Sequence, residues 1–155
     1  TEDGFFKTGD LGWMDDEHYI MLAGRAKNII VTDGGKNIYP EEIEDAFQLC
    51  DDIQQIVVQG YTTKEDETSE EIEALIYPSD SAYEALGQKR EEDFNSAQIN
   101  QRIQNEVSKV NKTLQTYARI TRITILENPL EMTTTKKIKR NYKKKKKRSL
   151  KSHIA

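Results

Sequence analysis

Five apolar residues near the C-terminal third, Ile99, Ile103, Val107, Val110 and Leu114, step by four, four, three and four. That spacing predicts a long amphipathic helix with one buried stripe, and Asn95 or Ser96 before it is a suitable N-cap. Elsewhere the apolar runs are short and β-branched. Tyr19–Ala23 reads as a strand stopped by Gly24, and Asn28–Thr32 as a second strand. Asp33-Gly34-Gly35-Lys36 then turns the chain, and Asn37–Tyr39 returns. An Asp-Gly pair between β-branched runs is a hairpin signal. Pro40 suits the first position of a helix, where its missing N–H costs nothing. Glu41, Glu42 and Glu44 then favour the positive end of the helix dipole. Ile43, Ala46 and Phe47 predict the buried face of that helix. Ile53–Val58 and Ile72–Tyr77 are strand candidates separated by an acidic loop, Thr62–Glu70. Ser79–Phe94 is polar, with a short helical piece at most, and Ile120–Leu126 predicts a last strand. Residues 1–18, with Gly4, Gly9 and Gly12, read as loops around short extended pieces. Together these predict an α+β domain: a β-hairpin and a short mixed or antiparallel sheet flanked by helices.

Composition narrows the function. The 155 residues are 35% hydrophobic and 32% charged, enough for a modest core but polar for a self-contained enzyme. The chain opens at Thr1 with no leader, which reads as a piece of a longer protein. No apolar run approaches the roughly 18 residues of a membrane span. Cys50 is the single cysteine, which excludes an internal disulfide and fits a reducing, cytoplasmic setting. Two histidines, His18 and His153, and one cysteine make no convincing metal cluster. Cys50 is expected to be a small buried side chain, His18 a loop residue, and Trp13 with Phe5 and Phe6 packing residues. The net charge of −4 conceals an asymmetry. Residues 1–99 carry 7 Lys and Arg against 24 Asp and Glu, whereas residues 100–155 carry 16 against 3. An acidic body with a basic end points to an anion met by that end, or to a solvated tail.

Three segments carry the chemistry. The first is Gly4-Phe5-Phe6-Lys7-Thr8-Gly9-Asp10-Leu11-Gly12, and the second runs from Gly24-Arg25-Ala26-Lys27 through Gly34-Gly35-Lys36 to Pro40-Glu41-Glu42-Ile43-Glu44. The third is Pro129-Leu130-Glu131-Met132-Thr133-Thr134-Thr135-Lys136-Lys137-Ile138-Lys139-Arg140. In this order they resemble the adenylate-forming superfamily of acyl-CoA synthetases, peptide-synthetase adenylation domains and luciferases. Two departures, Lys136 in the usual glycine place and a longer turn at Thr32–Gly35, point to the long-chain fatty-acyl ligases.

The resemblance implies a two-step reaction. A carboxylate attacks the α-phosphorus of ATP, releasing pyrophosphate, and coenzyme A then displaces AMP to give the thioester. Lys137 takes the role of the catalytic lysine in the first step, its register fixed by Ile138 and Arg140. Positioning and charge compensation dominate that step, because an anion approaches an anion. Asp10 is implied as the ribose ligand and Arg25 as a contact on the ribose and phosphate side of ATP or AMP. Lys27 is implied as the hinge about which the small domain rotates between the steps. Gly34 and Gly35 then face the pantetheine arm of coenzyme A, where a missing side chain permits close approach. Each has a plainer reading: a solvated lysine, a loop cap, a surface ion pair, an ordinary tight hairpin. Mg²⁺ accompanies ATP, held mainly outside this chain.

The implied organisation has residues 1–26 as the end of a large N-terminal adenylation domain, residues 27–140 as the lid, and residues 141–155 as a disordered basic tail. The implied partners are that large domain and a fatty acid. The run Lys143–Arg148 has four readings: a solvated tail, nucleic-acid contact, a nuclear signal, or peripheral attraction to an anionic membrane at about 1 kcal/mol per basic residue. Against a specific nucleic-acid module stands the acidic body, which has no aromatic-interleaved basic face. A ligase lid acting on an aryl or amino acid is the remaining alternative, since the acyl pocket lies outside these residues.

Overall fold

The computed structural model describes residues 1–63, 70–135 and 137–140. The Lys143–Arg148 run, Lys136 and most of the acidic loop lie outside them. The chain begins with an antiparallel hairpin of β1 (Asp10–Met14) and β2 (Ile20–Arg25). A single 3-10 turn, Ala26–Asn28, leads into a second, tighter hairpin of β3 (Ile30–Val31) and β4 (Asn37–Ile38). Helix α1 (Pro40–Asp45) starts at the proline, as its missing N–H favours. The central sheet has the order β5-β6-β7, with β5 (Ile53–Tyr61) antiparallel to β6 (Glu71–Pro78). Strand β7 (Arg122–Ile125) runs parallel to β6, so the sheet is mixed. The crossover between them carries α2 (Asp80–Glu84), α3 (Arg90–Asp93) and α4 (Ala97–Asn111).

The period of two along β6 divides the core. Ile72, Ala74 and Ile76 join Val58, Ile43 and Phe47 in the main cluster, together with Ile99, Ile103 and Val107 of α4. Leu75 lies on the opposite face with Val57 and Leu130. Both faces of β6 are therefore covered, which explains its nearly continuous apolar run. Glu73, also buried, accepts hydrogen bonds from Gln59 Nε2 (2.9 Å) and Thr124 Oγ1 (2.8 Å). Ser96 is the cap of α4, its Oγ accepting from the Ile99 amide at 3.2 Å.

The α+β fold, the β3–β4 hairpin, the helix at Pro40 and the long helix follow the sequence pattern. Five local expectations do not. Residues 28–32 yield only a two-residue strand, because the 3-10 turn takes Asn28. Ala46 is exposed, since α1 ends at Asp45 and the next turn carries Phe47 inward instead. Ser79–Phe94 forms two short helices: Tyr83 is buried and donates to Phe94 O at 2.9 Å, and Arg90 stacks 4.1 Å from the Tyr77 ring centre. Phe5, Phe6 and Trp13 are exposed, Phe6 at 88%, so they do not pack against the described residues. Cys50 is half-buried, with Sγ 3.6 Å from Glu106 Oε2, rather than an interior residue. His18 lies in the β1–β2 loop, as expected. Among the described residues no helix is long and apolar enough to cross a membrane.

Candidate functional site

The β1–β2 register sets Asp10 opposite Arg25, and their side chains pair at 2.8 Å. Arg25 also donates to Thr8 O at 3.2 Å. The pair is largely solvated, which limits its contribution to stability to about 0–1 kcal/mol and leaves both groups available to a ligand. Lys27 follows, exposed at the centre of the 3-10 turn. Past β7 the chain crosses the sheet, where Leu130 packs on Val57 and Leu75 and its amide donates to Gln55 Oε1 at 2.7 Å. A small loop then closes. Met132 bridges Ile138, the Thr133 amide donates to Lys137 O at 2.7 Å, and the Lys137 amide donates to Thr133 Oγ1 at 3.1 Å. The Lys137 backbone is thus fixed at both polar groups while its side chain stays exposed.

Arg25, Lys27 and Lys137 line one open groove of about 920 Å³, together with Arg140 and with Glu41 and Glu44 of α1. The structure therefore places Arg25 and Lys137, expected at the nucleotide, in one groove with Lys27, the expected hinge, and Asp10 joins them through Arg25. It does not bring Gly34 and Gly35 there. They turn the β3–β4 hairpin with φ of 79° and 71°, which side chains rarely adopt. A β-carbon at either would meet nothing within 4 Å, so backbone conformation requires these glycines and open space lies before them.

Sequence reasoning missed the anchor of the lysine loop. Arg140 Nη2 lies 2.6 Å from Glu44 Oε2, and Nη1 donates to Val58 O at 3.0 Å. The other Glu44 oxygen accepts the Val58 amide at 2.7 Å, so one carboxylate ties α1, β5 and the third motif together. Glu41, one turn earlier, lies 3.4 Å from Arg140 and accepts from Asn28 Nδ2 at 2.8 Å. The acids of the first turn were legible as dipole partners. Their spacing of three also places Glu41 and Glu44 on one helix face, the signal that could have paired them with a distant arginine.

Burial pushes the Glu44 carboxyl above its usual value of 4.5, and the Arg140 guanidinium and Val58 amide only partly oppose this. The folded form therefore binds this proton more tightly than the unfolded form. The associated stability is complete below about pH 4.5 and is lost as pH rises through the raised value. Glu44→Gln has no such proton. Denaturation of both proteins between about pH 4 and about pH 7 should show the stability of the wild type falling relative to Glu44→Gln as pH rises. A relative rise would mean that attraction to Arg140 outweighs burial.

The family model of the AMP-binding enzyme C-terminal domain matches residues 27–150, beginning at the residue expected to be the hinge. The long-chain-fatty-acid–CoA ligase FadD15 of Mycobacterium tuberculosis is 50% identical over 58 residues, 37% of this chain and 10% of that protein. The indoleacetate–CoA ligase of Aromatoleum aromaticum is 46% identical over 59 residues, 38% of this chain and 11% of that protein. The matched stretch thus spans about a tenth of the length of these relatives. The adenylation domain of a carboxylate reductase from Mycobacterium chelonae shares the fold, with a TM-score of 0.76 at 22% identity over 98% of this chain and 23% of that one. The chain belongs to the family of C-terminal domains of AMP-binding enzymes.

Proposed function

We propose that this chain is the lid of an ATP-dependent acyl-CoA ligase of the long-chain fatty-acid type, with residues 1–26 the end of the large domain and residues 27–140 the moving part. The observation that carries the reading is the common groove of Arg25, Lys27 and Lys137, with Asp10 paired to Arg25 at its edge. In the first step a fatty-acid carboxylate oxygen bonds to the α-phosphorus of ATP, and the bond to the pyrophosphate oxygen breaks. Lys137 offers a compact cation to the oxygens where charge concentrates, Asp10 accepts hydrogen bonds from the ribose, and Arg25 steadies the ribose and phosphate side. Mg²⁺, when bound with ATP, would supply further charge compensation from sites outside these residues. In the second step the coenzyme A sulfur, having lost its proton, attacks the acyl carbon and AMP leaves. Rotation at Lys27 withdraws Lys137 and presents the Gly34–Gly35 turn, whose open face suits a pantetheine arm.

The choice of acid rests on the two departures in the motifs and on the identity with FadD15, while the indoleacetate ligase supports an aryl acid almost as well. Exchange of labelled pyrophosphate into ATP by the intact ligase that carries this chain separates them. Stimulation by a long-chain fatty acid and not by indoleacetate is the expected result. Stimulation by the aryl acid alone would move the substrate class, and no stimulation by any carboxylate would remove the ligase reading.

A further inference from the structure

Glu41 stands where three segments meet. Its Oε1 accepts from Asn28 Nδ2 at 2.8 Å and lies 3.4 Å from Arg140 Nη2. Its Oε2 is buried and has no hydrogen-bond partner among the described residues, and a β-carbon built on Gly24 would lie only 2.8 Å from it. Gly24 precedes Lys27 in the chain and Asn28 follows it. One carboxylate therefore holds the far side of the turn, lies where a side chain at Gly24 on the near side would clash, and reaches the arginine that anchors the Lys137 loop.

We propose that Glu41 is a positioning residue that couples the hinge at Lys27 to the placement of Lys137. The inference rests on the ligase reading above. Holding Arg140 does not account for Glu41, because Glu44 at 2.6 Å and Val58 O at 3.0 Å already anchor that guanidinium more closely than Glu41 does at 3.4 Å. Stability does not account for it either, because a buried oxygen without a donor costs free energy. Such an oxygen fits a group whose surroundings change during the working cycle. When the domain rotates about Lys27, Asn28 and Arg140 travel with Glu41, whereas Gly24 stays with the large domain. The Oε2 atom is then uncovered and can be solvated, so its cost belongs to the orientation in which Lys137 and Arg25 share a groove. The Asn28 contact meanwhile confines bending to the residues before it, so that Lys137 is carried as part of a rigid unit.

The test uses the intact ligase and both half-reactions. Glu41→Ala should lower kcat for pyrophosphate exchange roughly tenfold, as a displaced catalytic group would, with KM for ATP nearly unchanged. Conversion of supplied acyl-adenylate to acyl-CoA should stay within about twofold, because Lys137 is withdrawn in that step. Asn28→Ala, a milder change, should show the same split to a smaller degree. The double variant should be no worse than Glu41→Ala, since Asn28 acts through Glu41. Glu41→Gln, which keeps an acceptor for Asn28, should restore most of the loss. Parallel loss in both half-reactions, additive losses, or a change in KM alone would overturn the coupling. Lys137→Ala run alongside separates the two levels. If it abolishes exchange while Glu41→Ala leaves exchange intact, only the coupling fails. If it leaves exchange intact, the ligase assignment of Lys137 and the coupling fail together.

Discussion

Lys137→Ala in the intact ligase is expected to reduce fatty-acid-dependent pyrophosphate exchange by about 10²–10³-fold while leaving thioester formation from supplied acyl-adenylate near its original rate. The magnitude corresponds to about 3–4 kcal/mol of transition-state stabilisation, the usual cost of removing one preorganised group from developing charge. The backbone of Lys137 is held at both ends by Thr133, and the loop is bolted to the sheet by Leu130 and Arg140. Truncating the exposed side chain therefore removes the ammonium without loosening its support. Lys137→Arg is not expected to rescue fully, because a planar fork does not occupy the place of a point charge. Undiminished exchange in Lys137→Ala would move the assignment to Lys136 or assign this chain a different chemistry.

Ile103→Ala carries the largest expected effect on stability, a loss of about 3–4 kcal/mol. Ile103 is 0% exposed, in the middle of the α4 stripe that packs on Ile72, Ala74 and Ile76. Removing its outer carbons subtracts their transfer free energy and leaves a cavity that a β-sheet floor cannot collapse to fill. Against the 5–15 kcal/mol typical of a whole domain, one such cavity shifts the unfolding midpoint far. Urea denaturation of this chain should show a lower midpoint with unchanged slope. A loss below about 1 kcal/mol would mean that α4 does not pack on the sheet in this way. The effect should reach the site indirectly, because the β6 strand that receives α4 supports Leu130 on its other face.

The elements with a single dominant local cause were legible in the sequence. The Asp-Gly turn set the β3–β4 hairpin, Pro40 set the start of α1, and the stepped isoleucines set α4. What escaped depends on distant partners. Ser79–Phe94 is polar by composition, yet the Tyr83 hydroxyl finds Phe94 O and the Arg90 guanidinium finds two tyrosine rings, so a loop-like stretch becomes two helices. The apolar Phe5, Phe6 and Trp13 read as packing residues, but none of the described residues covers them. For the site, motif residues Asp10, Arg25, Lys27 and Lys137 could be singled out by type and order, and three of them line one groove. Asn28 could not, and for Glu41 and Glu44 the shared helix face hints at a partner without naming it. Their importance lies in contacts reaching across 13 to 96 positions, whose partner no local pattern identifies.

The parallel pairing of β6 with β7 has a consequence for synthesis. Thr124 reaches Glu73 across 51 positions, and Arg140 reaches Glu44 across 96. While a ribosome is still reading the crossover, the β5–β6 ribbon exists with its third strand missing and Leu75 uncovered. Such long-range closures come late and leave apolar surface open to wrong partners in the interval. A nascent chain halted anywhere before residue 140 lacks the anchor of the Lys137 loop, and one halted before β7 also lacks a finished sheet. Translation errors in this region thus give chains that chaperones and proteases can recognise, and the motif carrying Lys137 is the last of the three to emerge.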